Sequence, residues 1–343
     1  MIRRVRLGRR RSLQRLAALA ASIAVSDAKS AANSPQAALR PVRIGLLRYG
    51  TVAWEIDTMR HHRLDVRHGV TVHVRELASN EALKIALQAG AVDLIVTDWL
   101  WVARQRADGV RYCFVPYSCA VGALLVPAAS PLRSLGELRG RRVGVAGGPL
   151  DKSWLLLRAL VQRDHGFDAG GARGDSEPVF GAPPLLAAEL QRGRLDAVLT
   201  YWHHAARLQA AGARTLASVS QIIAALGIAA DVPMLGFALH DDWAERDPQA
   251  LAGFVAASLA SKALLDRSND EWHRLVPLLG ADDAAVAASL RDGYRAGIPR
   301  RWGAREREAA AQLHAILARI GGERLVGRAA ALPPGTFWPG ALF

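Results

Sequence analysis

A chain of 343 residues, 51% of them hydrophobic, is long enough to bury a sizeable core and to divide it between two lobes. Its formal charge of +13 would suit a nucleic-acid or membrane partner, yet eight of its 44 basic residues and only one of its 31 acidic residues fall within residues 1–32. The remainder carries no dense basic run and no nucleic-acid-binding motif, which removes nucleic acid as a partner.

Residues 1–32 place arginines, ending in "RRRSLQR", ahead of the short apolar run "LAALAASIAV" and then small residues. Basic, apolar and small in that order is the pattern of an export signal, and Arg10-Arg11-Ser12-Leu13 makes it twin-arginine-like. Cleavage near Ala32 and a bacterial periplasmic location are the expectation. The apolar run is far short of the roughly 20 residues that span a bilayer.

From Pro41 onward, strand and helix patterns alternate. "VRIGLL" and "VTVHVREL" read as strands, "EALKIALQAG" as a helix with a glycine stop, and "VDLIVT" as a buried strand. "DWLWVARQRADG" is a helix opening on Asp98, and "VRYCFVP" the next strand. After "SPLRSLGELRG" the alternation resumes through "RRVGVAG", "DKSWLLLRALVQRD", "EPVF", "PPLLAAELQRG", "LDAVLT", "WHHAARLQAAG" and "RTLASV". Such βαβ units predict parallel sheets in an α/β fold. From Asp241 the pattern is helical throughout, with Asp247-Pro248 opening one helix and the proline-rich "LPPGTFWPGALF" closing the chain as a strap. If "YCFVPYSC" is extended, Cys113 and Cys119 lie about 20 Å apart at ~3.3 Å per residue, beyond disulfide reach, so two buried free thiols are expected.

One stretch occurs twice. Residues 87–101 read "LQAGAVDLIVTDWLW" and residues 190–204 read "LQRGRLDAVLTYWHH". Each copy predicts a helix end, a glycine turn, a buried strand and an aromatic residue at the next helix N-terminus. In open α/β sheets the ligand crevice lies beyond the carboxyl ends of the strands. Two lobes facing each other would present Asp98-Trp99-Leu100-Trp101 and Tyr201-Trp202-His203-His204 to one gap.

The opening "VRIGLLRYGTVAW", "LQAGAVDLIVTD", "SPLRSLGELRGRRVGVAGG" and "LQRGRLDAVLTYW" together resemble the type II solute-binding proteins of bacterial ABC importers, in the nitrate, taurine and alkanesulfonate branch that includes pyrimidine-precursor binders. The resemblance implies a two-lobe clamp with a helical C-terminal region that closes on a small solute and docks on an inner-membrane permease. The lobes would be 41–122 with 236–343, and 123–235, with hinge crossings near Ala120–Val126 and Met234–Leu239. No cofactor is implied.

Helix N-termini are ready anion sites through unpaired N–H groups and the helix dipole. They follow Tyr49 and Thr51, Asn80, Asp98, Gly148 to Asp151, and Tyr201; Asn80, Asp98 and Asp151 are equally good caps of their own helices. Nine tryptophans is a high count, and Trp54, Trp99, Trp101, Trp154 and Trp202 fall at or just past strand-to-helix exits, with Tyr117 at a similar place. Trp154 and one of Trp99 and Trp101 are expected in the core; the others suit a planar or cationic ligand. Arg48, Lys152, Ser153 and His203 are the candidates for holding a carboxylate, sulfonate or phosphate. Convergence of Asp98, Asp151 and His203 on a cation keeps a metal or metal-complex receptor open as an alternative. An enzyme on the same fold is disfavoured. A pyrimidine-synthase relative would carry a cysteine-rich motif and an active lysine, and neither that motif, a Gly-x-Ser-x-Gly elbow, a His-Glu-x-x-His pair nor a P-loop is present.

Overall fold

The computed structural model describes residues 38–48, 50–170, 175–281 and 283–340. The export-signal reading of residues 1–32 and the candidate Tyr49 lie outside them. In chain order the elements are β1 (Arg40–Leu47), α1 (Val52–His61), α2 (Leu64–Arg67), β2 (Val70–Leu77), α3 (Asn80–Gln88), β3 (Leu94–Asp98), α4 (Trp99–Ala107), β4 (Tyr112–Ser118), β5 (Gly122–Val126), β6 (Arg142–Ala146), α5 (Lys152–His165), β7 (Glu177–Gly181), α6 (Pro183–Gln191), β8 (Ala197–Tyr201), α7 (Trp202–Ala210), β9 (Arg214–Ser218), α8 (Val219–Ala225), β10 (Leu235–His240), α9 (Asp241–Arg246), α10 (Pro248–Arg267), α11 (Asn269–Leu279), α12 (Ala284–Ala296) and α13 (Ala304–Val326).

The strands form two five-stranded sheets, ordered β2-β1-β3-β10-β4 and β7-β6-β8-β5-β9. In each, the first three strands are parallel and the fourth, β10 or β5, runs antiparallel to its neighbours. The repeated sequence is therefore α3–β3–α4 in the first sheet and α6–β8–α7 in the second, with β3 and β8 both central. Buried Leu94 and Ile95 in one copy, and Ala197, Val198 and Leu199 in the other, explain why these runs lack alternation: both faces are covered by helices.

The chain passes between the sheets twice, at Cys119–Val121 and within 226–234. Both connections are placed differently than the sequence suggested, the first being shorter and the second longer, because most of Ala120–Val126 is β5 itself and Leu235–Leu239 belongs to β10, seated in the first sheet. Gly122 marks how tightly β5 lies on β8: a Cβ there would come 2.1 Å from the Thr200 carbonyl oxygen.

The helical tail begins as expected, with Pro248 in the first turn of α10 and the Asp247 carboxylate accepting from Ala250 N at 3.0 Å. α10 is long and apolar enough to cross a membrane, but here it is a core helix, burying Leu251, Phe254 and Leu265 beside α1. The rest of the tail departs from the expectation that it sits with the first sheet alone. α12 packs against α7 of the second sheet, and α13 lies between α4 and α5. Contacts from Arg40 onward accordingly gather in one compact unit. Both cysteines are free; Cys113 is buried in β4 and Cys119 is half-buried in the first connection.

Candidate ligand site between the strand ends

The carboxyl end of β3 delivers Asp98, whose Oδ1 accepts from Trp101 N at 2.9 Å and so caps α4. Its other oxygen, Oδ2, accepts from Lys152 Nζ at 3.1 Å. Lys152 opens α5, on the second sheet, so this ion pair ties the two halves together at their facing strand ends. Asp151 caps α5, accepting from Ser153 N at 2.9 Å and Trp154 N at 3.2 Å. Capping and a place in the gap coexist in both aspartates.

The electrostatics follow from that geometry. Burial alone would push the Asp98 carboxyl up, but the Lys152 ammonium, the Trp101 N–H and the charge of Lys84 together hold it below its ordinary value. Burial opposes charge on Lys152 as well, and Asp98 with Asp151 outweighs it, so the ammonium is held above its ordinary value. Asp151 moves the other way, pushed up mainly by burial in spite of Lys152. The gap therefore holds a lysine shared between two carboxylates, with Lys84 of α3 near enough to bear on one of them.

Backbone shape completes one wall. Gly147 has φ +95°, and a Cβ there would lie 3.0 Å from the Tyr201 hydroxyl, so only glycine lets β6 turn this close to Tyr201. At Gly148 the same atom would meet open space. Tyr201, at the end of β8, is 36% exposed and stacks with His203 at 6.4 Å. This corner offers an ammonium, a phenol and bare backbone.

The aromatics divide differently. Trp202 meets Trp54 edge-on at 6.0 Å, joining α7 to α1, and Trp54 continues to Trp272 at 5.9 Å and Tyr294 at 6.3 Å. The Trp54 indole donates to the Leu278 carbonyl at 3.1 Å. Trp54 is thus part of a buried cross-link between the halves, with Trp202 half-buried at its edge, rather than an open stacking face. Trp99, read as a ligand contact, is fully buried against His314 and Phe337; with Asp98 turned to the gap, its helical neighbour must turn away. Trp154 is core, as expected. Tyr117 is also buried, under the Lys262 ammonium at 3.9 Å from its ring.

Of the other candidates, Asn80 is exposed and caps nothing, since Ser79 takes that role by accepting from Ala82 N at 3.1 Å. Arg48 is exposed and pairs with Glu76 at 3.4 Å. Thr51 sits half-buried at the cap position of α1 without a side-chain cap bond. Ser153 is buried in the first turn of α5. Lys84, which the sequence reading missed, is one helical turn beyond Asn80 on the same face of α3. Among the described residues no group of three or more His, Cys, Asp or Glu side chains could hold a metal ion, and the proposed convergence of Asp98, Asp151 and His203 is replaced by a lysine between the two carboxylates.

Burial, aided by the charges of His204 and Arg207, pushes the His203 imidazole down to about 3. The unfolded chain takes up that proton near ~6.5, so folding stability falls as pH drops from ~6.5 toward the folded value. Replacing His203 by Gln should remove this sensitivity, which amounts to on the order of 2 kcal/mol between pH 7 and 5. Urea midpoints at the two pH values read it; equal pH dependence in both proteins would place the imidazole in water.

The family model described as NMT1/THI5 like matches residues 66–266, more than half of the chain. No curated protein sequence matches. Among solved structures, the periplasmic aliphatic sulphonate binding protein SsuA from Escherichia coli aligns with a TM-score of 0.70 at 20% identity, covering 87% of this chain and 92% of that one. The alkanesulfonate-binding protein SsuA from Xanthomonas axonopodis pv. citri, bound to MOPS, gives 0.64 at 19% identity over 88% and 99%. The periplasmic nitrate-binding protein NrtA from Synechocystis PCC 6803 gives 0.51 at 14% over 74% and 69%. Likeness at this level of identity shows a shared fold, the two-lobe type II periplasmic-binding architecture.

Proposed function

Since the chain belongs to the NMT1/THI5-like family, we propose that it is the exported solute-binding component of an ABC importer, capturing a small organic anion between its two sheets and delivering it to a membrane permease. The observation that carries this reading is the Asp98–Lys152 pair: the polar site is built half from β3 and half from α5, so occupancy of the gap is coupled to the approach of the two halves. Lys152, the Tyr201 hydroxyl and the open backbone at Gly148 are donors suited to a sulfonate or carboxylate head. The names of the similar structures, sulfonate and nitrate binders, agree with an anionic solute. The export-signal pattern of residues 1–32 supports a periplasmic location.

A solute that binds only the folded state raises the melting temperature by mass action. The test is a thermal-shift panel of alkanesulfonates, carboxylates, nitrate, pyrimidines, quaternary amines and metal salts on the full chain, read with tryptophan fluorescence. An organic anion that raises the melting temperature and changes the emission of the Trp54–Trp202 contact is the expected result. Stabilisation by metal salts alone, reversed by chelator, would replace this reading with a metal receptor. Arg48→Ala should leave the affinity for that anion unchanged, because Arg48 points to Glu76 and solvent; a loss of tenfold or more, by titration calorimetry, would bring Arg48 into the site.

A further inference from the structure

The last turn of α11 leaves its carbonyls to donors from other helices. The helix stops at Gly280, in the left-handed region at φ 56°. Among the described residues that glycine's N–H makes no closing bond back into the helix, as Gly166 N does to Gln162 O at 3.2 Å at the end of α5. Two side chains take up the carbonyls instead. The Trp54 indole reaches Leu278 O from α1. Arg207 reaches the next two, one arm of its guanidinium donating to Leu279 O and the other to Gly280 O, each at 2.8 Å. The negative end of the helix dipole favours a cation at this place.

Arg207 belongs to α7, on the second sheet, while α11 and α12 are held to helices of the first. Thr58 of α1 donates to Glu271 of α11 at 2.8 Å, and the Tyr294 hydroxyl of α12 donates to Glu55 of α1 at 2.7 Å. Arg295 of α12 donates to the Leu265 and Ser268 carbonyls at the end of α10, at 3.0 and 3.1 Å. The Arg207 fork therefore crosses from one half of the molecule to the other. Beside it the seam holds one neutral bond, from Ser289 Oγ to Ala206 O at 2.9 Å, and the Trp202 ring over Gly293, where a Cβ would lie 3.0 Å from the indole.

We propose that Arg207 is a positioning residue for solute capture: its fork on the end of α11 latches the second half to the first and sets how often the two approach, without serving as a donor in the gap. As a device for capture it rests on the receptor reading above; as a latch it is testable with no solute present. Parting α7 from α11 strands two carbonyls and a guanidinium until water reaches all three, whereas parting Ser289 from Ala206 frees one neutral pair. Charge-assisted bonds to two oxygens are enough to move the balance of approached and parted forms by at least about tenfold.

The test is small-angle X-ray scattering from the solute-free full chain. Arg207→Ala should give a larger radius of gyration than the natural protein, with the scattering profile of a folded chain and an unchanged far-ultraviolet circular dichroism. Arg207→Glu, which the same helix end repels, should be at least as expanded. Ser289→Ala should leave the radius unchanged. An unchanged radius in Arg207→Ala would overturn the proposal. So would expansion with the profile of an unfolded chain, which marks a merely structural role, or equal expansion in Ser289→Ala, which would assign the hold to the seam as a whole. Failure of every anion in the thermal-shift panel would overturn the receptor reading and leave the scattering result standing.

Discussion

Lys262→Met is expected to destabilise the fold by about 3–5 kcal/mol, the usual consequence of leaving one charge of a buried pair alone. Its partner Glu55 is completely buried in α1, where the carboxylate accepts from Lys262 Nζ, from Ser258 Oγ at 2.5 Å and from the Tyr294 hydroxyl at 2.7 Å. Burial pushes the Lys262 ammonium down, and Glu55 only partly restores it. Methionine keeps most of the volume while deleting the charge. The double variant Glu55→Gln/Lys262→Met removes both charges, its carboxamide oxygen accepting from one of the Ser258 and Tyr294 hydroxyls and its NH2 donating to the other, and should recover more than half of the loss. Urea denaturation of the two variants decides the matter. Equal destabilisation in both would mean that the shape of the lysine stem over Tyr117, not its charge, is what the core requires.

Lys152→Met should weaken binding of an anionic solute about 10–100-fold, the equivalent of one charge-assisted hydrogen bond of about 1.5–3 kcal/mol. The loss has two parts. The donor disappears, and the Asp98 carboxylate, no longer neutralised, repels the incoming head. Asp98→Asn should act in the opposite direction, strengthening binding several-fold by releasing Lys152 to the solute and removing the competing charge. Calorimetric titration with the anion that gives the largest thermal shift measures both variants. Unchanged affinity in Lys152→Met, with the fold intact, would move the anion site elsewhere in the gap.

Much of this was written in local sequence. The duplicated helix–turn–strand unit, the Asp98 and Asp151 caps and the Asp247-Pro248 helix start depend on backbone chemistry within a few residues, and the structure shows each. What local pattern does not carry is rotation and destination. Asp98 ends β3 and Trp99 opens α4, and it is packing against His314 and Phe337 that turns the indole away from the gap. Tyr117 and Trp54 read as exits from strands, but their surroundings come from α10 to α12, more than a hundred residues downstream. α8 passed unread although Ser218 and Gln221 spell its capping box, a signal that was available. Lys84 gave no signal alone, since a lone lysine on an amphipathic helix is ordinarily a solvated residue; only the proximity of β3 makes it part of the site.

The path of the tail alters what opening and closing can mean for this molecule. α11 packs on α1, while its successor α12 packs on α7, and α13 touches both α4 and α5. Separation of the sheets therefore cannot be a free swing about two peptide connections; it has to slide the tail helices over one of their two partners. We expect such a coupling to bias the unliganded population toward the approached arrangement. When the competent state is already the common one, the observed dissociation constant stays close to the intrinsic one, and the solute changes occupancy without a large change of shape. On the proposed importer role, a docking permease would then have to distinguish loaded from empty by small differences in surface rather than by a wide change in angle.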